Sequence, residues 1–361
     1  MIQGERPSQS VLSSLRRAAR VLRAVAVIAA MAVSACSQEG TPEAPVKPVP
    51  VLSGGAAFVP FFNGGQVTYV NIFSPVLLVP IGDKWLFESR AAFEADITRP
   101  DGGGPLGGVL TKELEYFQLD YLANRYLTIT AGRFLTPFGI YNERLYPVWI
   151  RNLQADPLIL PVEAGSSDGI MARGGFPLTP KVNLNYAAYV STLSQVNKLE
   201  ASRLAGGRVG IFLPKPRVEL GVSYQHLLQD DRSHRVGFHG EWQPPVLPLD
   251  IRSEYVHSAV GQGYWIEPAY KLSQVHFLNK VMRRTQLVGR VQQFWANSLS
   301  ATAGLPDVNT REGEFGLNYY LKDGLKATSS YGRQFSADGN RNVWTVGMAY
   351  RFAFPLGHGG L

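Results

Sequence analysis

Few residues of this chain have the types and spacing that catalysis or metal binding requires. Ser233 directly precedes His234, but adjacent residues of a strand point to opposite faces, so they could act as nucleophile and base only in a loop. His226, Asp230, Asp231 and His234 could form a metal site in a loop, although they match no fixed ligand spacing and a solvated turn is the alternative. The sequence therefore predicts no enzyme active site, no metal and no other cofactor.

The first 35 residues have the pattern of an export signal. Four arginines lie between positions 16 and 23, residues 24–33 are apolar, and Val33-Ser34-Ala35 precedes Cys36. The apolar stretch is too short to span a bilayer as a mature helix. We therefore predict that residues 1–35 are a signal peptide that is removed after export.

Cys36 is the only cysteine of the chain, so it cannot form an internal disulfide. The sequence before it fits both a small-x-small cleavage site and a lipobox. Lipidation of Cys36 is one interpretation, and an incidental cysteine at the mature terminus is the other. Residues 36–50 contain four prolines and are predicted to be an extended tether.

The basic charge of the chain belongs mainly to its export signal. The whole sequence has a net charge of +7, and residues 1–35 contain five arginines and one glutamate, so +3 remains without them. We therefore expect no nucleic-acid partner.

The elements that must position any functional residue are β-strands. In 342–354, Trp344, Met348 and Phe354 fall on one apolar face while Thr345 and Ala349 fall on the other, with a period of two. Aromatic residues mark both ends of the apolar row, which suits the two aromatic girdles of a membrane barrel.

Similar runs recur along the chain between short turns. The candidate strands are 66–81, 85–98, 113–123, 126–134, 168–178, 182–193, 202–214, 217–228, 234–243, 249–260, 263–275, 285–295, 312–322, 325–336 and 342–354. The apolar run 51–62 is a further candidate. We predict an all-β, transmembrane, antiparallel up-and-down β-barrel of about 16 strands, between roughly 14 and 18, over residues 51–354, with a short tail at 355–361.

Two strands fit this pattern badly. In 126–134 the outward row of side chains would include Arg133, unless Gly132 introduces a bulge or the membrane ends before Arg133. In 285–295 the apolar Val288 lies among inward polar residues.

A long connection, 135–167, interrupts the strands and is rich in proline and aromatic residues. We predict that it folds into the lumen and narrows the pore, and a loop that lies outside the barrel is the alternative. The candidate constriction residues on this connection are Tyr141, Glu143, Arg144, Arg151 and Asp156.

The segment from Ala131 to Gly139 reads AGRFLTPFG. It resembles the Gly-Arg/Lys-Phe-x-x-Pro-Phe-Gly segment of the phosphate-selective porin group. The resemblance implies a sixteen-stranded homotrimer in the outer membrane of a Gram-negative bacterium. Its partners would be outer-membrane lipid and small hydrophilic solutes or anions, which pass by diffusion. The chain departs from that group in its lipobox and in its C-terminal tail.

Inward strand positions carry charges of both signs. The arginines predicted to line the lumen are Arg90, Arg173, Arg208, Arg217, Arg235, Arg252 and Arg290. Acidic residues accompany them on the same or neighbouring strands, so transverse salt bridges and an anion-selective cluster are both open interpretations.

Two other classes of protein stay open from the sequence alone. One is a barrel-embedded, lipid-modifying enzyme of the outer membrane. The other is a lipid-anchored soluble β-sandwich that binds a polymer or a protein, which would explain Cys36 and the tether.

Overall fold

The computed structural model describes residues 49–163, 165–192, 203–228, 232–297 and 304–357. The predicted signal peptide, Cys36 and most of the tether lie outside these residues, as do Asp230, Asp231 and residues 358–361. No helix within the described ranges is long and apolar enough to cross a membrane.

The described residues form one antiparallel sheet of sixteen strands. Its strands are β1 Val51–Asn63, β2 Gln66–Ile81, β3 Trp85–Arg99, β4 Gly107–Asn124, β5 Leu127–Leu135, β6 Ser166–Thr179, β7 Val182–Ser191, β8 Leu204–Leu213, β9 Val218–Leu227, β10 His234–Trp242, β11 Leu249–His257, β12 Gly261–Lys271, β13 Thr285–Ala296, β14 Thr310–Tyr320, β15 Leu325–Ser336 and β16 Gly339–Pro355.

The sheet closes into a barrel because β1 pairs with β16, for example Ala56 with Tyr350 and Phe62 with Trp344. Every strand pairs with its neighbours in sequence, which is the up-and-down topology. The predicted fold class and strand number are thus confirmed, including the run 51–62. The β-sandwich alternative is wrong, because no second layer faces the sheet formed by the described residues.

The two faces of the barrel wall follow the period of two. On β16, the side chains of Trp344 and Met348 are exposed on the outside, whereas Thr345 and Ala349 are buried on the inside. An apolar outer face is typical of a barrel surrounded by lipid.

The two ends of the barrel differ. At the end that carries Val51 and Pro355, short turns at 82–84, 125–126 and 180–181 join the strands. We name this the terminal end. The connection 136–165 leaves the opposite end, which we name the loop end.

Strand β4 is longer than predicted. It begins at Gly107 rather than at residue 113, and it pairs with β3 from Gly107 to Tyr121 but with β5 only from Phe117 onward. The extra length went unpredicted because residues 107–112 contain two glycines and lack a clear apolar alternation.

The structure explains the two strands that fit badly. Arg133 forms an ion pair with Asp168 of β6 at 3.0 Å and donates from Nε to the Leu114 carbonyl of β4 at 2.6 Å. Strand β5 shows no register shift at Gly132, although the φ of that glycine is +118°. Val288 points inward because it packs on Leu153 of the connection 136–165.

Candidate functional site

The connection 136–165, named here the lumen loop, lies inside the barrel. Its backbone meets inward side chains on strands far from β5. Tyr141 N donates to Glu254 Oε1 of β11 at 3.0 Å, and Leu158 N donates to Gln292 Oε1 of β13 at 2.9 Å. Because β11 and β13 lie across the closed barrel from β5, the loop must cross the lumen to reach them.

Apolar packing holds the lumen loop against this far wall. Its buried side chains contact Val256, Trp265 and Phe294, which point inward from β11, β12 and β13. The loop members of the cluster are Phe138, Ile140, Tyr141, Leu145, Ile159, Leu160 and Val162. At roughly 1.5–3 kcal/mol for each fully buried large apolar side chain, this cluster is the main stabilising contribution to the loop's position.

Glycines in the barrel wall make room for the loop. A Cβ atom at Gly55 would collide with the ring of Trp149, and one at Gly316 would collide with the side chain of Leu153. These inward positions therefore accept loop side chains only because glycine has none.

A buried carboxylate fixes the start of a π-helical turn, Tyr141–Leu145, in the loop. Glu254 accepts hydrogen bonds from the backbone N–H groups of Ile140 and Tyr141 and from Trp265 Nε1 at 3.0 Å. Its side chain is almost fully buried. Because charge-assisted hydrogen bonds are among the stronger ones in proteins, Glu254 sets the position of the turn that carries Glu143 and Arg144.

The far wall also holds the second half of the loop. Arg290 of β13 donates to the Ala155 carbonyl at 2.7 Å and pairs with Glu267 of β12 at 2.7 Å. Asn152 Nδ2 donates to Glu267 at 2.8 Å. Arg290 therefore holds the loop in place, and its charge is not free to contact solutes.

An open space of about 510 Å³ remains on the side of the lumen loop that faces β3–β8, and we name it the passage. Its lining on β5 runs from Thr128 near the terminal end to Leu135 at the loop end. Its lining residues are Glu88, Tyr116, Gln118, Thr128, Phe134, Leu135, Glu143, Arg144, Met171, Arg173, Gly174, Asn185, Tyr186, Ala187 and Arg208.

Apart from Glu88, the charges of the passage form ion pairs within the described part of the chain, and the partners are unequally exposed. Arg144 forms a bidentate pair with Glu219 at 2.9 Å, and Glu143 pairs with Arg208 at 2.7 Å and with Arg173 at 3.8 Å. The side chains of Arg144 and Arg173 are 33% and 36% exposed, whereas those of Glu143 and Glu219 are 15% and 13% exposed. Within these ion pairs the guanidinium groups are the more exposed partners, and Glu88, which accepts from Gln118 Nε2 at 3.2 Å, adds one further carboxylate to the lining.

The predicted constriction residues separate into two groups. Glu143 and Arg144 line the passage, whereas Tyr141 and Arg151 are buried in the loop's own packing. Tyr141 donates from its hydroxyl to Asp156 at 3.2 Å, and Arg151 pairs with Asp156 at 2.7 Å. Burial raises the pKa of the Tyr141 hydroxyl, so it stays a neutral donor.

Of the seven arginines predicted to line the lumen, Arg217 is placed differently. It lies in the turn between β8 and β9 with a φ of +54°, and it is exposed outside the strands. The other six make inward contacts: Arg90 with Glu115, Arg173 with Asp120, Arg208 with Glu143, Arg235 with the Val162 carbonyl, Arg252 with Asp250 and Arg290 with Glu267. Most of these arginines thus form ion pairs within or next to the wall.

One motif with the residue spacing of a catalytic serine is missing from the predictions made from the sequence. Gly165-Ser166-Ser167-Asp168-Gly169 has the Gly-x-Ser-x-Gly spacing of a nucleophile elbow. Here, however, it opens strand β6 without the strand-to-helix turn, and Ser167 Oγ is buried and shares a hydrogen bond with Thr136 Oγ1 at 2.7 Å.

The histidines singled out from the sequence lie on the barrel wall. His226 and His234 are cross-strand neighbours whose rings stack with centroids 4.3 Å apart, and His234 Nδ1 bonds to the Tyr224 hydroxyl. Among the described residues, no serine hydroxyl bonds to a histidine ring, and no group of three or more His, Cys, Asp or Glu residues is arranged to hold a metal ion.

Comparison with known proteins supports the same architecture. No protein-family model and no curated protein matches the sequence. Among solved structures, OmpF of Salmonella typhi is similar with a TM-score of 0.58 and 11% identity, covering 84% of this chain and 97% of that chain. OprB of Pseudomonas putida gives 0.54 and 12%, covering 84% and 91%.

The outer-membrane channel DcaP of Acinetobacter baumannii is similar with a TM-score of 0.51 and 11% identity, covering 86% of this chain and all of that chain. At these identities the likeness shows the fold alone. The chain has the closed barrel fold of these outer-membrane proteins.

Proposed function

We propose that the protein is an outer-membrane porin, a passive water-filled channel for small hydrophilic solutes in a Gram-negative bacterium. The observation that carries the proposal is the passage beside the lumen loop. Its lining includes Thr128 near the terminal end of β5 and Leu135 at the loop end, about 23 Å apart along the strand at roughly 3.3 Å per residue. In this proposal the lumen loop is the constriction, and no covalent chemistry takes place.

The outer surface supports a place in a membrane. Trp85 and Tyr121 contact each other on the outside near the terminal end with ring centroids 4.6 Å apart, and Phe62 and Trp344 do so near the loop end at 6.1 Å. Aromatic residues at both rims of an apolar band match the two interfaces of a bilayer. Outer-membrane lipid is thus the proposed partner of this face, and the homotrimer implied by the family resemblance stays a prediction.

We further propose that the passage prefers anions, with phosphate among them. Arg144 and Arg173 are the more exposed partners of their ion pairs in the passage, and a guanidinium group can bind an oxyanion through two parallel N–H donors. The carboxylates that pair with them limit this preference, because they lie within 4 Å of the same groups.

The proposal is tested by reconstitution into planar bilayers. Wild type should give stepwise conductance, and its reversal potential in a KCl gradient should favour chloride. Arg144→Gln with Arg173→Gln should shift the reversal potential toward cation preference. A charge about 7 Å from a permeating ion contributes about 0.6 kcal/mol in water-like dielectric, with opposite sign for an anion and a cation, so each guanidinium group removed should change the anion-to-cation permeability ratio by roughly sevenfold.

Arg217→Gln is the control, because it removes one guanidinium charge from an exposed turn and so matches each of the two substitutions singly. It should leave the reversal potential unchanged. Replacing chloride by phosphate then tests whether phosphate passes. The anion preference is refuted if the double variant and the control behave alike, and a fully inserted barrel without conductance would refute the channel itself.

A further inference from the structure

A second open space lies in the lumen on the other side of the lumen loop from the passage, against β1 and β2. It has a volume of about 230 Å³, and we name it the recess. Its wall is formed by Val59 and Phe61 of β1 and by Val70 and Ile72 of β2. Inward positions of a water-filled barrel are normally polar, so an apolar inward wall needs an explanation.

Part of the apolar inward surface of β1 and β2 is already covered. Val148 and Trp149 of the lumen loop pack on Ala57 and Val59. Phe61 and Val70 lie further toward the loop end, where they line the recess beside Glu94 and Asp156. The recess therefore joins an apolar wall to carboxylates.

The charge around the recess is strongly negative. Glu94 interacts electrostatically with Asp96, Asp156 and Glu113, and with one guanidinium, Arg151. Arg151 also lines the recess, but its side chain is only 7% exposed and pairs with Asp156, whose side chain is 43% exposed. Neither Glu94 nor Asp96 has an ion-pair partner within the described part of the chain. The more exposed charges of the recess are thus carboxylates, whereas in the ion pairs of the passage the guanidinium groups are the more exposed partners.

The chemistry of the recess selects among cations. The described carboxylates are not grouped closely enough to hold a metal ion. A hydrated inorganic cation would also gain nothing from the four apolar side chains of the wall. A cation that carries an apolar body would satisfy both surfaces, because its charge would face Glu94 while its body would displace water from Phe61 and Ile72.

We propose that the recess binds small organic monocations, ammonium compounds with a compact aromatic or branched aliphatic group. The lumen is then divided by its loop into an anion-preferring passage and a separate site for amphiphilic cations. This inference rests on the proposed function only in that water and solutes enter the lumen.

The test is equilibrium binding, measured by titration calorimetry on the refolded full chain in detergent micelles. The probe is benzyltrimethylammonium, and its matched controls are the neutral benzyl alcohol and the anionic benzenesulfonate. We expect the cation to bind at least about tenfold more tightly than either control. Equal binding of the three probes, or no binding of the cation, would overturn the proposal without any variant.

Variants locate the site. Glu94→Gln with Asp96→Asn should weaken binding of the cation at least about tenfold, and Phe61→Ala should weaken it severalfold. Glu88→Gln, which removes a carboxylate from the passage, should leave it unchanged. If heat-modifiable gel mobility shows that the double variant has not refolded, the single variant Glu94→Gln is used instead. Unchanged binding of benzyltrimethylammonium to the variant that folds would overturn the assignment of the binding site to the recess.

Conductance of the same preparation separates the two proposals. A protein that binds the cation but gives no current would refute the channel and leave the recess assigned. A protein that conducts but does not distinguish the three probes would refute the recess and leave the channel intact.

Discussion

Replacing Glu254 by alanine should release the π-helical turn that carries Glu143 and Arg144. The carboxylate accepts from Ile140 N, Tyr141 N and Trp265 Nε1 in a buried site, so its removal leaves three donors without a partner. At about 1–3 kcal/mol for each unsatisfied buried donor, the position of the turn loses roughly 3 kcal/mol or more. The apolar cluster still holds the loop in the lumen, so the turn should shift and fluctuate rather than leave.

Single-channel recording measures this effect directly. Glu254→Ala should give a larger mean conductance with more current noise than wild type, because the turn borders the passage. Glu254→Gln should be intermediate, since its amide oxygen can still accept from the backbone whereas its amide nitrogen cannot accept from Trp265. Glu312→Gln is the control, because Glu312 also lies on the inner wall but bonds to Gln334 rather than to the loop. Wild-type conductance and noise in a folded Glu254→Ala barrel would refute the role of this carboxylate.

Three further predictions concern the wall and the loop. Arg133→Ala leaves Asp168 without its buried partner and should lower the free energy of unfolding by about 3–5 kcal/mol. Urea titration of the barrel in lipid vesicles measures this change, and an unchanged unfolding midpoint would contradict the pairing. Gly55→Val should displace Trp149 and quench or shift its fluorescence, whereas an unchanged spectrum and conductance would mean that the loop does not rest on β1. Burial raises the pKa of the Tyr141 hydroxyl from its ordinary value near 10, so above pH 10 the hydroxyl ionises in the unfolded chain alone and the folded protein loses stability. Tyr141→Phe should reduce this loss, and identical profiles of unfolding free energy against pH for the two proteins would contradict it.

Much of the barrel could be predicted because its signal is local. Alternation within one strand, as in β16, is visible in the sequence and depends on the wall alone. The run 51–62 was harder, because β1 is apolar on both faces: Phe58 points to the outside while Val59 points to the inside. Only the lumen loop and the recess explain that second apolar face.

The site was less predictable because its contacts are far apart in the sequence. Glu254 lies more than a hundred residues from Tyr141, and nothing in either local sequence indicates their bond. Inward apolar residues were the available signal. Val288, which disagreed with its strand, marked the place where the loop packs, and Val256, Trp265 and Phe294 carried the same information.

The sequence predicts which charged residues are present but not how exposed each of them is. The sequence predicted seven arginines in the lumen but not the burial of each, and Arg217 lies in an exposed turn. Arg290 and Arg151 hold the loop, whereas the side chains of Arg144 and Arg173 are about one-third exposed. Exposure depends on where the loop settles, which local patterns do not determine.

The most direct test compares the conductance of wild type with that of a barrel in which residues 140–163 are replaced by a short Gly-Ser linker. Heat-modifiable gel mobility first establishes that both barrels are folded. We predict small uniform steps for wild type and clearly larger steps for the linker variant, because the loop fills the lumen between the passage and the far wall. Equal steps from the two proteins, or no steps from either once inserted, would contradict a water-filled pore that the loop narrows.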